Sequence, residues 1–96
     1  MGVLLSVKGD SMQPSLFDGD IVLVDRTKHE IVNGSIYAFV DGDQGARVKR
    51  LRIFGDTVIV LQSDNQNVAD EERSGEDINT ISQNIIGQVV WSGHCW

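Results

Sequence analysis

The apolar residues of this chain come in short runs, and turn-forming residues cut each run off. No segment sustains a 3.6-residue apolar period long enough for a core-packed helix, so the core has to be built from strands. Six runs read as strands: VLLSV at 3–7, DIVLV at 20–24, SIYAFV at 35–40, ARVKRLRI at 46–53, TVIVL at 57–61 and IIGQVVW at 85–91. DGDQG at 41–45 reads as a hairpin turn whose glycines supply positive φ, and Gly55-Asp56 as a second turn. Residues 63–83 are polar and form a surface excursion with a helical turn. A short helix is also expected near Pro14-Ser15-Leu16-Phe17, with proline in the first turn. The fold class is mainly β: a small barrel or sandwich of short antiparallel strands with one short helical turn.

The 96 residues are enough for one domain with one modest core, and an apolar fraction of 41% argues against wholesale disorder. No apolar run has the length of a membrane span, and the N-terminus has no signal-peptide pattern, so the expected compartment is the cytoplasm. A net charge of −6 argues against broad nucleic-acid binding by this domain alone, because phosphate contacts need a basic surface. The single cysteine, Cys95, excludes an internal disulfide and reads as a near-terminal thiol rather than a nucleophile. No metal-ligand spacing and no cofactor motif is present.

The stretch VKGDSMQPSLFDGDIVLVD, residues 7–25, surrounds one serine with an unusual amount of apparatus. Ser11 lies in a Gly9-Asp10-Ser11 turn between a strand and the Pro14 turn. Glycine there allows the backbone to approach another group, and a turn leaves N–H groups to face an anion. A serine hydroxyl attacks only when a base takes its proton. His29 sits in a polar RTKHE loop and His94 near the C-terminus, neither with a carboxylate partner at a telling spacing. Lysine is the other candidate. Side chains alternate along a strand, so in ARVKRLRI Lys49 shares its face with Leu51 and Ile53, while Arg50 and Arg52 point the other way with Val48. A lysine beside two aliphatics is desolvated, and desolvation lowers its pKa toward that of a usable base. Taken singly, a Gly-Asp-Ser serine is ordinarily a turn residue and RVKRLR a solvated face or a weak nucleic-acid patch. Taken together they point to a Ser-Lys dyad.

The same residues resemble the LexA-like peptidase family, which includes the self-cleaving C-terminal domains of bacterial and phage CI-type repressors and the UmuD-type proteins. The resemblance rests on Gly9-Asp10-Ser11-Met12-Gln13-Pro14, on Asp18-Gly19-Asp20, on Val48-Lys49-Arg50-Leu51, on Ser63-Asp64-Asn65 as an S-x-N motif, and on the closing run from Ile86 to Trp91. It implies Ser11 as nucleophile, Lys49 as general base, and the backbone N–H groups of Ser11 and Met12 as the oxyanion hole, with Gly9, Asp10, Pro14, Gly19, Asp20, Ser63 and Asn65 as supporting positions. It also implies a homodimer formed through the C-terminal region, autoproteolysis stimulated by a RecA–single-stranded DNA filament, and operator DNA bound only through a separate helix-turn-helix domain. Some relatives answer to an antirepressor instead.

The chain departs from the full pattern in two ways. Its alanines precede Phe39, Arg47 and Asp70 and its cysteine precedes Trp96, so it holds neither the Ala-Gly nor the Cys-Gly bond cut in the family. It also contains no helix-turn-helix. Residues 1–96 are therefore expected to be a single Ser-Lys peptidase domain without the N-terminal DNA-binding domain and cleavage loop. Two other readings remain open. Signal peptidases share the S-M-x-P and K-R features, but carry a membrane anchor and a proline that Ile53-Phe54-Gly55-Asp56 lacks. A non-cleaving dimerisation module is the alternative outside catalysis.

Overall fold

All six expected strands form, and a seventh joins them. In the computed structural model, which describes residues 1–55 and 57–93, the order is β1 (Gly2–Ser6), β2 (Ile21–Asp25), β3 (Ile36–Val40), a 3-10 turn (Gly42–Gln44), β4 (Ala46–Phe54), β5 (Val58–Gln62), β6 (Glu71–Ser74), α1 (Asp77–Ser82) and β7 (Ile85–Gly93). Asp56 of the second expected turn, together with His94, Cys95 and Trp96, lies outside the described residues. The strands make one antiparallel sheet in the order β1-β2-β7-β3-β4-β5-β6. The expected helix at Pro14 is instead a series of turns, in which the Leu16 N–H closes back on the Met12 carbonyl at 2.9 Å. The α-helix lies at Asp77–Ser82, within the polar excursion.

The sheet is apolar on both faces at its centre. On β3, Tyr37 and Phe39 enter one cluster with Leu51, Ile59, Leu61, Ile81 and Ile85, while Ala38 enters a second with Val7, Met12, Leu16, Val22 and Val24. Successive side chains on a strand point to opposite faces, so β3 is the wall that both cores share. Burying one large side chain such as Phe39 stabilises the fold by about 1.5–3 kcal/mol. Tyr37 satisfies its buried hydroxyl by donating to the Glu30 carbonyl at 2.9 Å and accepting from the Val32 N–H at 2.7 Å, which pins the 26–34 loop.

The last strand was expected to be either a core strand or an edge for a partner, and it is interior, hydrogen-bonded to β2 on one side and β3 on the other. Its Gly87 is required by sterics. A Cβ there would fall 2.2 Å from the Asp25 carbonyl oxygen, beside the register shift between Leu23 and Val24. The basic β4 is not a solvated patch. Arg47 reaches Asp41 and Glu71, Arg50 reaches Asp64 and the Gly34 carbonyl, and Arg52 reaches Gln62.

Candidate active site

The loop that carries Ser11 is closed at its base by two backbone hydrogen bonds, Val7 N–H to the Asp20 carbonyl and Gly19 N–H to the Val7 carbonyl, both 2.8 Å. The Asp-Gly-Asp motif also holds the loop from within. Asp18 accepts the Gly9 N–H at 2.8 Å and Asp20 accepts the Phe17 N–H at 2.9 Å. Met12 and Leu16 anchor the loop by burying themselves in the second core at 1% and 2% exposure. Gly9 serves a different purpose from the one expected of it. A Cβ there would meet nothing within 4 Å, so close approach is not its role, but its φ of +81° is a conformation that L side chains rarely adopt.

The S-x-N motif is the second support. The Asn65 N–H donates to the Ser11 carbonyl at 3.0 Å, and Asn65 Nδ2 donates to the Asp10 carbonyl at 2.9 Å. Asp64 accepts from Ser15 Oγ at 2.6 Å and forms a two-pronged ion pair with Arg50 at 2.9 and 2.8 Å. The serine loop is thereby tied to β4 and to the segment after β5 by three side chains that are distant from it in sequence. Pro14 lies exposed on the outside of the same loop.

Lys49 is on β4, 4% exposed, on the face it shares with buried Leu51 and partly buried Ile53, as the period-two reading required. Burial lowers its pKa from the ordinary lysine value, because removal from water disfavours the ammonium form. The positive charge of Arg47, two residues away on the same face, lowers it further, while Glu71 and Asp70 act in the opposite direction. Its Nζ donates to Ser63 Oγ at 2.7 Å, a bond between two buried groups. Among the described residues no hydrogen bond joins Lys49 to Ser11.

Ser11 and Lys49 nevertheless line one cavity of about 640 Å³. Residues 5–8, Ser11, Met12, residues 44–49, Val68 and Glu71 line it. The rim holds a charge cluster that the sequence reading passed over. Arg47 pairs with Asp41 at 2.7 Å and Glu71 at 2.5 Å, and Arg73 bridges the same two carboxylates at 3.2 and 3.1 Å. The signal for it was present, since Arg47 shares the Lys49 face by the same alternation. His29 lies exposed away from this cavity, beside a smaller one lined by Met1 and Ile85. Among the described residues no cluster of three or more His, Cys, Asp or Glu side chains is arranged to hold a metal ion, and no helix is long and apolar enough to cross a membrane.

A buried lysine of lowered pKa and a serine facing one cavity are the parts needed to activate a hydroxyl nucleophile. Comparison with known proteins identifies the family. The family model described as peptidase S24-like matches residues 2–90. The chain is 36% identical over 91 residues to the repressor protein CI of Enterobacteria phage phi80, covering 94% of this chain and 36% of that repressor. It is 32% identical over 90 residues to the HTH-type transcriptional regulator PrtR of Pseudomonas aeruginosa, covering 93% of this chain and 35% of the regulator. It is 36% identical over 90 residues to the LexA repressor of Bacillus cytotoxicus, covering 91% of this chain and 38% of the repressor. The chain thus spans little more than a third of the length of these curated relatives.

Proposed function

The chain belongs to the peptidase S24-like family, and from that premise we propose that it is the C-terminal domain of a transcriptional repressor that cleaves its own parent chain with a Ser11–Lys49 dyad. The observation that carries the reading is the shared cavity, lined by both Ser11 and a buried, pKa-lowered Lys49.

In the proposed reaction the neutral Lys49 amine takes the Ser11 proton as Oγ attacks the carbonyl carbon of the scissile peptide. The C=O π bond opens, and the N–H groups of Ser11 and Met12 hold the resulting oxyanion. The Lys49 ammonium then gives its proton to the leaving amine as the C–N bond breaks, and water hydrolyses the ester left on Ser11. The scissile bond lies in another segment of the parent chain, since these residues hold neither Ala-Gly nor Cys-Gly. An intramolecular substrate has a high effective concentration, and this lets a modest catalyst suffice. A RecA–single-stranded DNA filament would act by stabilising the cleavage-competent arrangement.

Cleavage would end repression by separating a DNA-reading domain from a dimerising one, because two linked half-site readers bind far more tightly than two free ones. The proposed dimer surface is the outer face of β1, β2 and β7. There Leu4, Leu23 and Trp91 stand in register across three strands, with Leu4 62% and Trp91 56% exposed.

The test uses the parent repressor with its N-terminal region present, incubated at rising pH beside Ser11→Ala and Lys49→Ala versions. Cleavage should increase with pH as the Lys49 amine loses its proton, and each substitution should slow it by about a thousandfold or more. A parent chain that stays intact at every pH, with and without an activated RecA filament, would instead make this a non-cleaving dimerisation module controlled by a partner such as an antirepressor.

A further inference from the structure

The strand-to-loop segment 63–65 does two things at once. Asn65 clamps the backbone of the nucleophile's turn through the Asp10 and Ser11 carbonyls, while Ser63 receives the Lys49 amine. Building on the dyad reading above, we propose that Ser63 is a positioning residue that aims the Lys49 lone pair at Ser11.

A neutral lysine amine has two N–H donors and one lone pair, and it rotates about its last carbon–nitrogen bond. In water that rotation is free, and the lone pair has no preferred direction. At Lys49 one direction is taken. Nζ lies 2.7 Å from Ser63 Oγ, Lys49 and Ser63 are 4% and 7% exposed, and an N–H directed to Ser63 confines the lone pair to the remaining directions. Ser63 is itself held, because its backbone N–H donates to Asp70 Oδ1 at 2.9 Å. Its place on the register is fixed too. Arg50 pairs with Gln62 across β4 and β5, so the next residues, Lys49 and Ser63, stand directly opposite each other where that ladder ends. The same hydroxyl also accepts from the ammonium form, where the bond is charge-assisted, so Ser63 steadies the lysine before and after it takes the proton.

Two effects follow from removing the hydroxyl, and they have opposite consequences for the rate. Ser63→Ala leaves the buried ammonium without its acceptor, so the amine titrates at a lower pH and a larger fraction of it is neutral at any given pH. If Ser63 only filled space, neither effect would appear. If Ser63 only tuned the pKa, cleavage near neutral pH would rise. If Ser63 aims the amine, the high-pH plateau falls although more of the base is in the active form.

The first arm needs no cleavage. The 96-residue chain is labelled at the lysine Cε carbons, and the Lys49 resonance is titrated by NMR in wild type, Ser63→Ala and Ser63→Thr, with the amide spectrum checking that each variant is folded. The Lys49 midpoint should drop by about one pH unit in Ser63→Ala, a tenfold change in proton affinity, and return in Ser63→Thr, which keeps the hydroxyl. The second arm follows parent-chain cleavage against pH, where Ser63→Ala should lower the plateau about tenfold or more while moving the midpoint to lower pH, with Ser63→Thr restoring both. An unchanged Lys49 titration, or an unchanged or raised plateau, would overturn the proposal. A wild-type parent chain that never cleaves would sink the dyad reading, while the NMR arm alone would still show whether Ser63 holds the amine.

Discussion

Glu71 sits between two guanidinium groups, and their hydrogen bonds and charge set its pKa. Hydrogen bonding to Arg47 is the largest influence, with Arg73 adding to it, and its carboxyl is held down at about 2 from an ordinary value of 4.5. A carboxylate whose pKa is depressed by folding contributes stability that is complete above the unfolded value and is lost as pH falls toward the folded one. The Glu71 contribution is therefore present above pH 4.5 and disappears between about 4.5 and 2. Urea denaturation at a series of pH values should show a drop in midpoint across that window. Glu71→Gln should lower the midpoint at pH 7 and make the acid drop smaller. An unchanged acid profile in Glu71→Gln would mean that the pairs with Arg47 and Arg73 add nothing to folding, the usual result for fully exposed ion pairs. Glu71 also bears on neighbouring Lys49, since its charge raises the Lys49 pKa while Arg47 lowers it.

At the scale of elements, the first core depends on the six-residue α1 to close it. A helix this short is not stable on its own, and Ile81, fully buried in the cluster of Tyr37, Phe39, Leu51, Ile59 and Leu61, is what gives it a place. Ile81→Ala should cost about 2–5 kcal/mol by urea denaturation, whereas the half-exposed Phe54→Ser should change stability by about 0.5 kcal/mol or less. Equal effects would mean that α1 is not part of the cooperative core. This helix was visible in the sequence only as a helical turn somewhere in 63–83, because Ile78 and Ile81 are its only large apolar residues. β6 was not visible at all. Its EERS segment alternates as a strand should, but its inward positions are Glu71 and Arg73, and their partners are charges on β4 and the 41–45 turn rather than a hydrophobic core. The apolar strands and the face of Lys49 were legible because alternation alone decides them. The contact of Lys49 with Ser63 was not, since it depends on the exact register of the β4–β5 hairpin, which pairs Phe54 with Val58. The helix expected at Pro14 stops at turns because its helical bond from the Leu16 N–H to the Met12 carbonyl is not continued, and carboxylates at Asp18 and Asp20 take over the Gly9 and Phe17 N–H groups.

For the whole molecule the question is what covers the outer face of β1, β2 and β7. A row of large apolar side chains on an otherwise acidic surface is the kind of patch that marks an association site. A twofold dimer would place Trp91 near the centre of the contact, where aromatic residues carry the most binding energy. Trp91→Glu should convert the proposed dimer to a monomer in sedimentation velocity while leaving the proposed pH-dependent cleavage of the parent chain in place, since Trp91 is not among the residues that line the cavity. A Trp91→Glu chain that sediments as the wild type does would move the interface elsewhere.

The position of β7 has a consequence in time as well as in space. β2 and β3 follow one another in the chain but are not neighbours in the sheet, because the last strand lies between them. The meander from β3 to β6 needs only its own near neighbours in sequence, so it can form while the chain is still being made. As strands, β1 and β2 pair with the meander only through β7, so their place in the sheet is completed after residues 85–93 have left the ribosome. On the function proposed above, Ser11 and Lys49 would be synthesised early but settle into one sheet late, and a nascent chain would be shielded from cleavage until the whole domain had been made.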